Sequence, residues 1–89
     1  MNPIQIIEKL IPQSVLEEIA SVLKKGSSKD GNGVLTYNKT YCYYLWKMYK
    51  HLVRWGLGFR YDHDSGQSHL AHAIVRLMQM LLKYKESGK

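Results

Sequence analysis

Two segments with the apolar spacing of helices, separated by a glycine-bounded acidic turn, restrict this chain more than any other feature. In the first segment, Tyr41, Leu45, Met48, Leu52 and Trp55 form one row at helical intervals, and Cys42, Trp46, Tyr49 and Val53 form another. In the later one, Leu70, Ile74, Leu77 and Leu81 form the main row, joined by Ala71, Val75, Met78 and Leu82. Apolar residues recurring every three or four positions bury one face of a helix, whereas a half-buried strand needs strict alternation. The spacing predicts a third helix over about residues 38–56 and a fourth over about 69–84, the latter capped by Ser68. The double row on the third helix is wider than a small two-layer fold covers on one side, which predicts a partner subunit. It also places Cys42 in the core rather than at a reactive surface. Lys47, Lys50, His51 and Arg54 take the remaining face, with Tyr44 at its border.

Two shorter helices precede these. Asn2 suits an N-cap and Pro3 the first helical position, followed by a stripe of Ile4, Ile7 and Leu10 or Ile11 that Pro12 ends. Ser14 to Glu17 has the S-x-x-E form of a capping box, and Leu16, Ile19, Ala20 and Leu23 continue at helical spacing. Lys24 and Lys25 suit the negative end of that helix, and Gly26 its C′ position. Residues 26–35, rich in glycine and serine, lack the spacing of a phosphate-binding P-loop and read as a connector. No strand-like alternation, repeat or interdomain linker is visible. The expected architecture is therefore all-α: one domain over 1–89, a bundle of about four helices, two short and two longer, completed by oligomerisation.

A chain of 89 residues buries little more than ~60% of its unfolded surface, so association of copies would add to a small core. The formal charge of +6 favours an anionic partner. That partner could be a nucleic acid, a nucleotide or a phosphorylated metabolite; the lysines are spread rather than blocked, so the charge supports such a reading without carrying it. No apolar run approaches the ~20 residues that span a bilayer, and the N-terminus lacks the pattern of a signal peptide. A single cysteine, Cys42, forms no internal disulfide, which predicts a cytoplasmic protein.

The chemistry concentrates between residues 51 and 72, where all the histidines fall. His69, His72 and Arg76 stand at i, i+3 and i+7, on one polar face of the last helix. Helix histidines commonly make a structural hydrogen bond, yet two of them one turn apart after an Asp-x-Asp turn also fit a functional site. Imidazole nitrogens with carboxylate oxygens suit a divalent transition metal, although the pair is not spaced as in the metalloprotease motif. Asp62 and Asp64 could hold Mg²⁺ or cap the turn and the helix start. Glu17 and Glu18 are the other carboxylates placed to reach the same neighbourhood. Tyr43 or Tyr44, beside Lys47, could stack on a base.

These residues carry a family resemblance. Asp62-His63-Asp64-Ser65-Gly66 followed by His69-Leu70-Ala71-His72-Ala73 is similar to the D-x-[DE]-S-G-x-x-H-L-A-H-A run of the phage-associated dATP/dGTP diphosphohydrolase N-terminal domain family. Supporting matches are Ile11-Pro12, residues 15–23, Gly26, Lys29, Tyr43-Tyr44, His51-Leu52 and Trp55, so the resemblance spans residues 11 to about 84. It implies a small all-α protein acting on purine nucleotides, with MazG-like NTP pyrophosphatases as wider relatives. Those use Mg²⁺ held by several carboxylates and work as dimers or larger assemblies. Carried over by position, the functional residues are Glu17, Glu18, His51, Asp62, Asp64, His69 and His72. The chain departs from the family where Gly58 is followed by Phe59 and Arg60 instead of Gly-Glu. It departs again at Lys29-Asp30-Gly31, where members read Lys-Tyr-Gly followed by an Asn-Trp pair, and at residues 1–10, which replace a basic lead-in.

Losing a carboxylate harms metal-assisted hydrolysis, while Arg60 in its place helps hold an anion. One reading is thus a binder that sequesters a purine or cyclic nucleotide, such as a phage protein acting in the host cytoplasm against a nucleotide signal. Its ligand residues are His51, Arg54, Arg60, His69, His72, Arg76, Tyr44 and Lys47. The alternative is an active Mg²⁺-dependent dATP/dGTP diphosphohydrolase, with His69, His72 and Asp64 as catalytic groups and Glu17, Glu18, Asp62 and Asp64 holding the metal. A third reading, contact with nucleic acid or a host protein, rests on charge alone.

Overall fold

Local capping chemistry sets most of the helix boundaries in the computed structural model, which describes residues 2–25 and 28–88. Helix α1 is Pro3–Leu10, and Asn2 opens it by accepting from the Gln5 N–H while the Gln5 side chain accepts from the Asn2 N–H. Helix α2 is Gln13–Lys25. It starts one residue before Ser14, with the Val15 and Leu16 N–H groups donating to the Pro12 carbonyl. The expected capping box therefore does not form: Ser14 lies inside the helix, and the Glu17 carboxylate accepts from Gln13 Nε2 at 3.3 Å. Gly26, expected at the C′ position, lies outside the described residues.

Helix α3 is Tyr41–Gly56, beginning later than the apolar spacing suggests because the Thr40 hydroxyl accepts from the Tyr43 N–H and fixes the first turn. Helix α4 is His69–Ser87, capped by Ser68 as expected and a little longer at its end. Among the described residues the remainder is turn and irregular chain, with isolated bridges at Lys29–Leu35 and Tyr61–Ser68. The fold is all-α, a small bundle of four helices. No helix among the described residues is long and apolar enough to cross a membrane.

Helix α4 is the shared wall, packing against α3 on one side and α2 on another. The apolar core is small: Val22, Ala71 and Val75, with Ile19, Leu23 and Leu35 packed around it. Polar groups complete it. Gln79 is fully buried and donates from Nε2 to the Thr36 carbonyl and hydroxyl, while its Oε1 accepts from Arg76. Tyr44 is also fully buried, and its hydroxyl accepts from the Lys39 N–H.

The orientation of α3 corrects the reading of its faces. The residues that turn inward are Tyr44 and His51. Leu45, Trp46, Tyr49, Leu52 and Val53 are exposed on this chain, and Cys42 is exposed with them rather than buried in the core. Leu70, Ile74, Leu77 and Leu81 of α4 are exposed likewise, and α1 buries none of its residues. The polar stripe of α3, half-buried at Lys47 and Lys50 and exposed at Arg54, lines an open cavity on this chain.

Candidate functional site

The turn between α3 and α4 is folded by its own side chains. Asp62 Oδ1 accepts from the N–H groups of Asp64 and Ser65, each at 3.0 Å. The Gly66 N–H returns to the Asp62 carbonyl, and the Asp62 N–H to the Gln67 carbonyl. Gly66 sits at φ 74°, a left-handed conformation that any β-carbon would strain. This closed turn delivers Ser68 to the start of α4, where its N–H donates to Glu18 Oε1 of α2 at 3.1 Å. Glu18 thus places a negative charge at the positive end of α4 and ties two helices together.

Above the turn, three imidazoles meet. His51 of α3 and His69 of α4 approach with their Nδ1 atoms 2.8 Å apart, and both rings are buried. His72 stacks on His51 at 4.7 Å between centroids and 11° between planes. Its Nε2 lies 2.7 Å from the Ser65 hydroxyl, which also accepts from the Gln67 N–H. Burial pushes His51 down from its ordinary value of 6.5 to about 4, helped by the adjacent His72 and His69 and by Arg76, and opposed by Asp62. His72 is lowered as well, chiefly by burial, with Asp62 opposing and Arg76 and His69 adding. Burial alone would raise Asp62. The N–H groups of Ser65 and Asp64, then His72 and His51, outweigh it and hold the carboxyl below its usual range. At neutral pH these two imidazoles are uncharged beside an ionised Asp62.

A cavity of about 500 Å³ opens over this group, bounded by α2, α3, α4 and the turn. Its wall carries five fixed cations, Lys25, Lys47, Lys50, Arg54 and Arg76, against two carboxylates, Asp62 and Asp64. His51, His72, Ser65 and Ser28 complete its polar lining. Ser28 is 2% exposed, and its hydroxyl has no hydrogen-bond partner among the described residues. A hydroxyl so placed at the cavity wall can donate to an acceptor that enters the cavity.

Of the residues expected to hold a ligand, His51, Arg54, His72, Arg76 and Lys47 share this cavity. His69 lies behind His51 and lines a separate recess with Arg54, Phe59, Tyr61 and the acidic turn. Tyr44 is sealed in the interior, so its ring offers no face to this cavity. Arg60 is engaged elsewhere, with its guanidinium 4.0 Å from the Trp55 ring centroid and donating to the Trp55 carbonyl. Lys25, Lys50, Ser28 and Ser65 were not singled out as ligand residues from the sequence. The Lys47, Lys50, Arg54 stripe was visible at i, i+3 and i+7, but it reads equally as a solvated helix face.

The carboxylates named for Mg²⁺ do not converge. Glu18 is engaged at Ser68, and Glu17 is exposed and bonded to Gln13. Asp62 and Asp64 alone reach the cavity. Among the described residues, the group of three with ligand atoms in mutual reach is His51, Asp62 and His69. That trio is richer in nitrogen than Mg²⁺ prefers; of the four carboxylates named for Mg²⁺, Asp62 and Asp64 share the cavity wall.

Fold and site together define a small helical protein with a cationic, imidazole-floored cavity between its helices. Residues 5–89 match the family described as dATP/dGTP diphosphohydrolase, N-terminal, and the chain belongs to that family. Neither a curated protein nor a solved structure gives a significant match.

Proposed function

We propose that this protein binds a purine nucleotide, linear or cyclic, through its phosphates and retains it unhydrolysed. The observation that carries the reading is the cavity itself, where five fixed cations face two carboxylates. Guanidinium groups fork onto phosphate oxygens, and such charge-assisted bonds are the strong ones in a partly dehydrated site. Hydrolysis of a phosphoanhydride through metal ions needs several carboxylates converging on one place, and Asp62 and Asp64 are the two that line this cavity. Retention of an intact nucleotide makes this a sequestering protein.

Family membership favours a second reading, an active diphosphohydrolase of dATP and dGTP. The short Ser65–His72 contact at the cavity wall gives that reading a hydroxyl beside a neutral imidazole. Incubation with dATP, dGTP and cyclic dinucleotides, with and without Mg²⁺, separates the two. Unchanged ligand recovered from a tight complex supports the binder. Turnover that His69→Ala or Asp64→Asn abolishes overturns it. Both readings require Arg76, so Arg76→Ala is expected to weaken nucleotide binding about tenfold, roughly 1.4 kcal/mol, and unchanged affinity in a calorimetric titration rejects this placement of the ligand.

The proposal includes self-association. The exposed apolar rows of α3 and α4 are the surface through which copies would pair.

A further inference from the structure

We infer that His51, His69 and Asp62 form a binding site for one divalent transition-metal ion of the zinc or cobalt type. The three residues come from separate parts of the chain: α3, the first residue of α4, and the turn between them. Their ligand atoms lie within 4.8 Å of one another, and the two Nδ1 atoms are 2.8 Å apart. Two donors about 2.1 Å from a common ion stand roughly 3.0 to 3.4 Å apart at octahedral to tetrahedral angles. The rings need part by only a few tenths of an ångström to admit the ion, and the carboxylate closes from the turn.

The surroundings match those of a built ligand set. Metal-bound carboxylates are characteristically held by further hydrogen bonds, and Asp62 is held by two backbone N–H groups. His51 is fixed in orientation by the His72 ring stacked on it. Both histidines are buried while Asp62 is half-buried at the cavity wall, so three protein donors leave a coordination position on the open side. Two nitrogens and one oxygen select a borderline metal over Mg²⁺. This inference does not depend on a nucleotide: the ion is proposed from the donor set alone. A single shared proton would also satisfy the facing Nδ1 atoms, and the test distinguishes proton from ion.

Untagged protein, stripped with a chelator and dialysed free of it, is titrated with Zn²⁺ alone by calorimetry and with Co²⁺ by visible absorption. One ion per chain is expected, with a Co²⁺ spectrum of low-symmetry nitrogen and oxygen coordination. The imidazole ¹⁵N resonances of His51 and His69 should shift, and those of exposed His63 should not. Asp62→Asn is expected to weaken Zn²⁺ at least tenfold while the far-ultraviolet circular dichroism stays helical, and His63→Ala to leave affinity unchanged. The assignment is overturned if no ion binds or if the resonances that move belong to His63. Equal competition by Mg²⁺, or a folded Asp62→Asn variant with undiminished affinity, overturns it too. Each of these readouts is independent of whether any nucleotide binds.

Discussion

Ser28 gives the cavity a direct single-residue test. Its hydroxyl is buried at the cavity wall with no protein partner among the described residues, so Ser28→Ala should leave the stability of the free protein within about 0.5 kcal/mol. The same change should weaken nucleotide binding, since the ligand loses a donor. Urea unfolding and a binding titration on one preparation read both; unchanged affinity in a stably folded variant would place the hydroxyl outside the site. The imidazoles make a separate prediction. The folded value of His51 is depressed from 6.5 to about 4, so the proton prefers the unfolded chain. Its contribution to stability is complete above about pH 6.5 and is lost as pH falls toward 4. Lowered His72 acts in the same direction, and depressed Asp62 extends the loss to still lower pH. Urea midpoints at pH 7.5 and 4.5 should therefore differ clearly, and a flat profile would contradict the buried, uncharged imidazoles. At this scale the sequence showed which residues carry chemistry but not who meets whom. His69 and His72 were readable as one helix face, whereas the His51–His69 contact joins residues far apart in sequence, which spacing does not encode.

At the scale of elements, Glu18 does work that its neighbour does not. It links α2 to the first turn of α4 through the Ser68 N–H, whereas Glu17 reaches only Gln13 on its own helix. Glu18→Ala should cost about 1–2 kcal/mol, as expected for a charge-assisted bond at a helix N-terminus. Glu17→Ala should stay within about 0.5 kcal/mol. Chemical denaturation of the pair checks the contrast, and equal losses would deny Glu18 this structural role. Both acids were metal candidates, with Glu17 the one assigned to a cap; the structure instead gives the helix-start role to Glu18, at Ser68 of α4. Element boundaries were legible where a cap was written locally, as at Asn2 with Pro3 and at Ser68. They were misread where two caps competed. Ser14 offered a capping box, but the Pro12 carbonyl collected the first N–H groups and started α2 at Gln13.

For the whole molecule, amphipathic spacing revealed that α3 has an apolar and a charged face but not which of them turns toward the same chain. The usual assumption buries the apolar face. Here the charged one lines the open cavity, and Leu45, Trp46, Tyr49 and Leu52 are left exposed, with Trp46 at 58% and Tyr49 at 56%. Exposed apolar residues scattered singly are ordinary, but an unbroken row along one helix marks a contact surface. The chain's own core of Val22, Ala71 and Val75 is too slight to explain why such a row persists. A second copy laid along α3 would cover it without touching the cavity wall, which Lys47, Lys50, His51 and Arg54 provide from the opposite side of the same helix. Binding and association should therefore separate genetically. Leu52→Glu or Trp46→Glu should shift the protein toward monomer in light scattering and lower its thermal midpoint, while leaving the charge of the cavity unaltered. A wild-type protein that remains monomeric at high concentration would overturn pairing through this face.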